Sequence, residues 1–448
     1  MKYNFLVVFA LLVSTTAFSQ VIPDKIKNNI KLEEYNLENG LHVILCHDTT
    51  STTVNVGVSY HVGSKNERSD RTGFAHLFEH LLFHGSKNIP EGMYERHIAS
   101  VGGYSNAATS VDRTMYYQIL PANQYKLGLW LESERMMHPN ISEKGLAKEI
   151  QVVKEENRQR YDRTLLGRAD HEMMAFIFDE HPYRWPIIGS MEHLDAASQE
   201  DFKQFFETYY APNNACLFVA GNYNVDSLKT YINAYFAPIP KGKNTIIRPK
   251  YTQIQPKTET VEFREIKNLK KEHLFTSYMA VPETNRDSEV LSFLINLLDK
   301  NNFLKDEMVG KDKDGLVNKI LLTPEFYEDC GMVWLRADLR DSVDYRVALD
   351  KIDAFWAKYA KEGFDENEIT RLKNSYKNGM IEMYFSSSTF VNMASTFYTQ
   401  RGSTDKIYTY LDDIFSITND DIKRVIAKYL VKDNRKVLVF KGALDKSN

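Results

Sequence analysis

The sequence predicts an α+β protein of two homologous domains, each a mixed β-sheet covered by helices. Three observations carry this expectation. Runs rich in Val, Thr and Tyr with strand character alternate with segments of helical period. A break at 238–258, holding Pro238, Pro240, Pro249, Pro256 and several lysines, divides the chain as a linker would. The same order of cap, helix, loop, strand and glycine then recurs on either side of it. Ser198 and Asp201 lead to Tyr209, Leu217–Ala220 and Gly221, as Thr418 and Asp421 lead to Tyr429, Val437–Phe440 and Gly442.

Composition sets the outer limits. The chain has 448 residues, enough for two or three domains at ~150 residues each. It is 43% hydrophobic and 26% charged, an ordinary globular mixture. With 56 basic and 60 acidic residues it lacks the basic excess of a nucleic-acid binder. An aromatic content of 12% excludes a disordered chain. Cys46, Cys216 and Cys330 are far apart and lack CxxC spacing, so they read as small buried apolar residues.

The elements follow in order. Residues 1–19 read as a signal peptide: Lys2 is basic, Phe5 to Phe18 is almost wholly apolar, and Ala17 and Ser19 are small. Cleavage after Ser19 predicts an exported, most simply periplasmic, protein with no stable membrane insertion. Two domains, 20–237 and 259–448, then flank the linker. Tyr35–Glu38 and Leu41–Leu45 flank Asn39-Gly40, a hairpin signal, and Thr53–Val62 reads as a strand. Thr72 is placed to cap a helix from Gly73 to about His84, with Gly85 as its stop. Further helices are expected at Met93–Ser100, Ala122–Met137, Glu143–Arg160 and Ser198–Tyr210, and strands at Thr114–Leu120 and Ala215–Ala220. The second half restarts with a strand at His273–Val281 and helices at Ser288–Asn302, Tyr345–Glu362 and Glu366–Tyr384.

The chemistry sits in Gly73-Phe-Ala-His76-Leu-Phe-Glu79-His80. Residues four apart share a helix face, so His76 and His80 can bind one metal ion, with Glu79 flanking that face. Two imidazoles suit zinc, and a catalytic zinc needs a third protein ligand and an open position. A carboxylate beside the attacking water can take its proton. H-x-x-E-H is the zincin motif in reverse. The alternative is two ordinary histidines beside a surface glutamate. The best third ligand is Glu156, with Glu149 seven residues earlier on the same face able to orient a ligand. Here the alternative is a solvated helix whose glutamates pair with Lys154, Arg158 and Arg160, with Val152 and Val153 facing the core either way.

These segments resemble the M16 (pitrilysin or insulinase) metallopeptidases, in their two-domain, mitochondrial-processing-peptidase-like bacterial form. Leu37-Glu-Asn-Gly40-Leu-His-Val matches the opening strand-turn-strand, and His76-Leu-Phe-Glu79-His80 with Leu-Leu-Phe-His-Gly-Ser matches the zinc helix. Glu156 lies 76 residues after His80, as the family's ligand does. His181-Pro-Tyr-Arg-Trp-Pro186-Ile-Ile-Gly189 and Tyr209-Tyr-Ala-Pro212-Asn-Asn214 complete the order. The resemblance implies one Zn2+ per chain held by His76, His80 and Glu156, Glu79 as general base and Glu149 behind the ligands. Glu156 is preferred to Glu155 for its seven-residue spacing from Glu149, and His84 is read as non-ligating. It also implies that the edge strand around Asn106 and Ala107 receives an extended peptide substrate. The chain would be half of a four-domain clamshell, as a homodimer or with a metal-free M16 subunit. One departure stands out: where the family carries an oxyanion-stabilising Arg and Tyr, this sequence has Lys311 and Asn318. The second domain is therefore expected to be non-catalytic.

Overall fold

The computed structural model describes residues 30–248, 251, 256–310 and 315–443. The expected leader, part of the expected linker and Lys311 lie outside the described residues. The first domain holds strands β1 (Leu32–Asn36), β2 (His42–His47), β3 (Thr53–Tyr60), β4 (Tyr104–Thr109), β5 (Thr114–Pro121) and β6 (Ala215–Gly221). Its helices are α1 (Phe74–Leu81), α2 (Met93–Ser100), α3 (Tyr125–Met137), α4 (Glu143–Asn157), α5 (Ala169–Ile177), α6 (Met191–Ala196), α7 (Gln199–Tyr209) and α8 (Val225–Phe236). The second domain holds β7 (Thr260–Ile266), β8 (His273–Ala280), β9 (Val317–Phe326), β10 (Gly331–Leu339) and β11 (Arg435–Gly442). With them are α9 (Arg286–Lys300), α10 (Phe303–Val309), α11 (Tyr345–Glu362), α12 (Glu366–Tyr384), α13 (Ser387–Arg401), α14 (Lys406–Phe415) and α15 (Asn419–Tyr429).

Both sheets are mixed and share one topology. The first runs β1-β2-β6-β3-β5-β4 and the second β7-β11-β8-β10-β9. In each, the last strand enters the middle, parallel to one neighbour and antiparallel to the other: β6 between β2 and β3, β11 between β7 and β8. Only β1 lacks a counterpart among the described strands. The repeated cap is equally literal, since Ser198 with Asp201 and Thr418 with Asp421 both close reciprocal capping boxes. The two domains are homologous α+β units.

The opening turn departs from the expected two-residue hairpin. Only Gly40 has positive φ (+89°), and the Gly40 N–H bonds the Leu37 carbonyl, so β1 ends at Asn36. Asn39 is used elsewhere: its Nδ2 donates to the carbonyls of Phe236 and Ile239 at 2.8 and 2.9 Å, closing the end of α8. Asn39→Ala removes a donor from each of these carbonyls, leaving Phe236 only the Ile239 N–H, and we expect it to cost about 1–3 kcal/mol in urea unfolding.

The inner strands of each sheet are buried on both faces, which explains the unbroken apolar runs in β2 and β6. One face of the first sheet packs on its own helices through Val54, Val56, Val58, Phe78, Leu129 and Ile232. Its other face, with Ile44, Cys46, Cys216 and Phe218, packs on Phe390, Val391 and Ala394 of α13 and on Leu411 of α14, from the second domain. Reciprocally, Phe275, Met332, Trp334 and Phe440 of the second sheet meet Ala169, Met173 and Ile177 of α5, from the first. All three cysteines are free and buried in these two interfaces. Sequence analysis assigns no element to α5 or α13. In α13 the buried Ser387, Ser395 and Thr399 interrupt the apolar stripe that would announce a helix.

A charged cluster joins the domains where the β9–β10 turn reaches the first. Lys65 Nζ lies 2.8 Å from Asp112, 2.7 Å from Glu328 and 3.3 Å from Asp329. His61 pairs with Glu328 and His181 with Asp329. Tyr183 donates to Asp112 and accepts from the Asp329 N–H.

Candidate metal and catalytic centre

The centre is built from α1 and α4, which pack side by side. Helix α1 buries Phe74, Ala75, Leu77, Phe78 and Leu81 in the core, leaving His76, Glu79 and His80 toward α4. Its start differs from the expected one. Gly73 sits at φ +96°, where a Cβ would lie 2.7 Å from the Ile188 carbonyl, so only glycine fits. Thr72 does not cap the helix; its hydroxyl bonds His193 and the Ser190 N–H. The cap is Glu67, whose two oxygens each accept an N–H at 2.8 Å, from Gly73 and Ala75. Nothing local in the sequence marks this residue, because it acts across an intervening turn.

The far end also differs from the expected reach to His84. Helix α1 stops at Leu81, with Leu82 as its last half-turn, so His84 is not on it. Tyr116 donates to the Phe78 carbonyl at 2.8 Å and Arg135 to the Leu82 carbonyl at 3.1 Å. Arg135 is buried, paired with Glu132 at 3.2 Å, and stacked on Phe83, Tyr94 and Tyr116. Residues from three separate segments, Glu67, Tyr116 and Arg135, thus anchor one short helix.

On the open face, His76 Nε2 lies 3.6 Å and His80 Nε2 3.4 Å from Glu156 Oε2. One donor atom from each residue falls within 4.8 Å of the others. Donors about 3.4 Å apart are what a tetrahedral ion with ~2.1 Å bonds requires. Glu156 Oε2 is buried without a hydrogen-bond partner among the described residues, as a ligand atom would be. Arg160 holds the other oxygen, Oε1, at 2.9 Å. Glu155 turns outward to Gln159 and Arg158. The expectation that Val152 and Val153 both face the core fails for Val152. Residues adjacent in a helix are turned by about 100°, and while Val153 is buried, Val152 is 43% exposed.

Electrostatics follow the geometry. Burial and the neighbouring His80 push His76 down to about 4. His80 is also desolvated, but the Glu149 and Glu156 carboxylates beside it raise it to about 9. Burial works to raise the Glu149 carboxyl, but His80 and His84 beside it keep it below the usual range, as His80, His76 and Arg160 do for Glu156. Glu149 Oε2 is 3.5 Å from His80 Nδ1, so His80 turns Nε2 toward the cluster. Among the described residues Glu79 has no hydrogen-bond or ion-pair partner, and it is half-buried on the same face.

Among the described strands β4 pairs with β5 alone, leaving its other edge open. Ala107 is opposite Tyr116 in the register, and its N–H is covered by the Asn106 side chain, Oδ1 at 2.9 Å. Asn318 lies in β9 and donates to the Leu339 carbonyl.

An H-x-x-E-H helix facing a glutamate within a sheet-and-helix domain defines a metallohydrolase. Residues 42–187 match insulinase (peptidase family M16), and residues 196–376 match the peptidase M16 inactive domain. The chain is 28% identical over 418 residues to zinc protease PqqE of Helicobacter pylori, covering 92% of each protein. It is 22% identical over 351 residues to the uncharacterised zinc protease YmxG of Bacillus subtilis, covering 78% and 84%. Among solved structures it is similar to a protease from Helicobacter pylori (TM-score 0.83, 26% identity, covering 92% of this chain and 99% of that one). The first half of the periplasmic protease PqqL from Escherichia coli shares the fold (TM-score 0.73, 18% identity, 92% of each chain). The chain belongs to peptidase family M16, and its activity is that of a zinc metalloprotease.

Proposed function

We propose that this chain is an exported endopeptidase of the two-domain, mitochondrial-processing-peptidase-like bacterial type, hydrolysing peptides or unfolded segments within a closed chamber. The observation that carries it is the convergence of His76, His80 and Glu156, with an unpaired Glu79 on the same helix face. His76, His80 and Glu156 would hold one Zn2+, which supplies a Lewis acid for the scissile carbonyl and for water. Glu79 accepts the proton of the attacking water and returns it to the leaving amine. Glu149 fixes the tautomer of His80. The substrate adds as a strand to β4, which requires Asn106 to release the Ala107 N–H. Among the described residues no helix is long and apolar enough to cross a membrane. Residues 1–19 carry the export signal, and the periplasm is the compartment it implies.

A second reading is favoured by Asn318 and Lys311, which stand where the family resemblance places an oxyanion-stabilising pair. In it the chain is one subunit of a homodimer or heteromer, and the missing donors come from a partner chain. Loss of one such donor costs about 10²–10³ in rate. The test is cleavage of a mixed peptide library by the purified full chain, with metal content measured alongside. We expect one zinc per chain, cleavage abolished by chelation and restored by zinc. One bound zinc without cleavage moves the reading to a partner-dependent subunit. No bound zinc overturns both.

A further inference from the structure

We propose that His84, outside the zinc motif, is a positioning residue that holds Glu149 against His80. The inference rests on the metal-site reading above. Past α1 the chain turns back, with the His84 N–H on the Leu81 carbonyl at 3.0 Å. This places the imidazole over the first turn of α4, beside Gly145. Its Nε2 makes a short hydrogen bond to Glu149 Oε1. A carboxylate can only accept, so Nε2–H donates. The other oxygen, Oε2, faces His80 Nδ1 at 3.5 Å. Glu149 is thus held at both oxygens, and both the His84 and Glu149 side chains are about nine-tenths buried.

His84 Nδ1 lies 3.8 Å from Glu91, and Glu91 pairs with Lys148 at 2.9 Å. A chain of charge-bearing groups therefore runs from His80 to the surface, along a cavity of about 520 Å³ lined by His80, Phe83, His84, Glu95 and Glu149. Without the His84 donor, Glu149 Oε1 would face that cavity alone, and the carboxylate would be free to rotate away from His80. His80 would then lose the carboxylate contact at Nδ1 that fixes its tautomer and ring plane. His84 itself is no ligand of a second ion shared with Glu149. Its nitrogen is in hydrogen-bond contact with the carboxylate, closer than the ~3.4 Å between two donors on one zinc.

The test is zinc affinity of the full chain, read by competition with a chromophoric chelator. The variants are His84→Gln, His84→Asn, Glu149→Gln and the pair His84→Asn with Glu149→Gln. Glutamine carries its amide N–H where Nε2 stands, while asparagine reaches only the Nδ1 position, on the Glu91 side. We expect His84→Asn to weaken zinc binding about tenfold, the lower end for outer-shell partners of a metal ligand, and His84→Gln to restore most of it. The pair should bind no more weakly than Glu149→Gln alone, because His84 acts through Glu149. Equal affinity for the Asn and Gln variants, or losses that multiply in the pair, overturns the proposal. A wild-type chain that binds no zinc overturns the metal-site reading itself; wild-type zinc binding with an unaffected His84→Asn overturns only this inference.

Discussion

Glu79→Gln keeps one zinc per chain and loses peptidase activity by about 10²–10⁴-fold, the usual contribution of a general acid–base group. The substitution preserves shape and removes only the capacity to take a proton. Glu79 supports no other group by hydrogen bond or ion pair among the described residues, so stability and metal content should not move. The three donor atoms of the metal cluster belong to other residues. Measuring kcat and bound zinc on the same preparation checks the prediction, and a Gln variant with wild-type kcat would sink the assignment of the base.

The second large effect is on stability. Lys65→Met removes a cation that lies within 3.3 Å of each of Asp112, Glu328 and Asp329. Asp112 is almost fully buried, and breaking such a cluster from one side leaves an uncompensated charge, at a cost of about 3–5 kcal/mol. The same cluster sets an acid limit. Burial works to raise the Glu328 carboxyl, but His61 and Lys65 together hold it at about 2, against an ordinary 4.5. A depressed carboxyl stabilises the fold fully above the unfolded value and loses that contribution as pH falls through the folded one. The unfolding free energy read from urea titrations should therefore drop between about pH 5 and pH 2, by on the order of 3 kcal/mol for this group. The drop should be shallower in Lys65→Met, where the holding charge is gone. A variant with wild-type stability at both ends would show that the domains are held by their apolar faces alone.

Much of the centre was legible because its information is local. His76, Glu79 and His80 are spaced for one helix face, and that spacing survives any detail of packing. Glu149 and Glu156 are seven apart on α4 for the same reason. The halves were legible through their capping boxes, which depend on residues three apart. Local reading failed where a distant residue does the local task. Thr72 has the right chemistry to cap α1, yet Glu67 occupies both N–H groups. His84 reads in the sequence only as non-ligating, and its hydrogen bond to Glu149, 65 residues away, has no local signal.

By itself, then, the sequence determined the metal-ligand chemistry, the duplicated α+β plan and the order of the principal elements, since each is encoded by residues within one or two helical turns of one another. Tertiary structure alone decided which groups anchor the ends of α1 and how the two domains interlock. The exchange of α5 and α13 across the sheets is the clearest case. In α13 the buried Ser387, Ser395 and Thr399 dilute the apolar stripe that marks a helix, and in α5 only Ala169, Met173 and Ile177 are buried, so these two segments that bind the domains together carry little local signal.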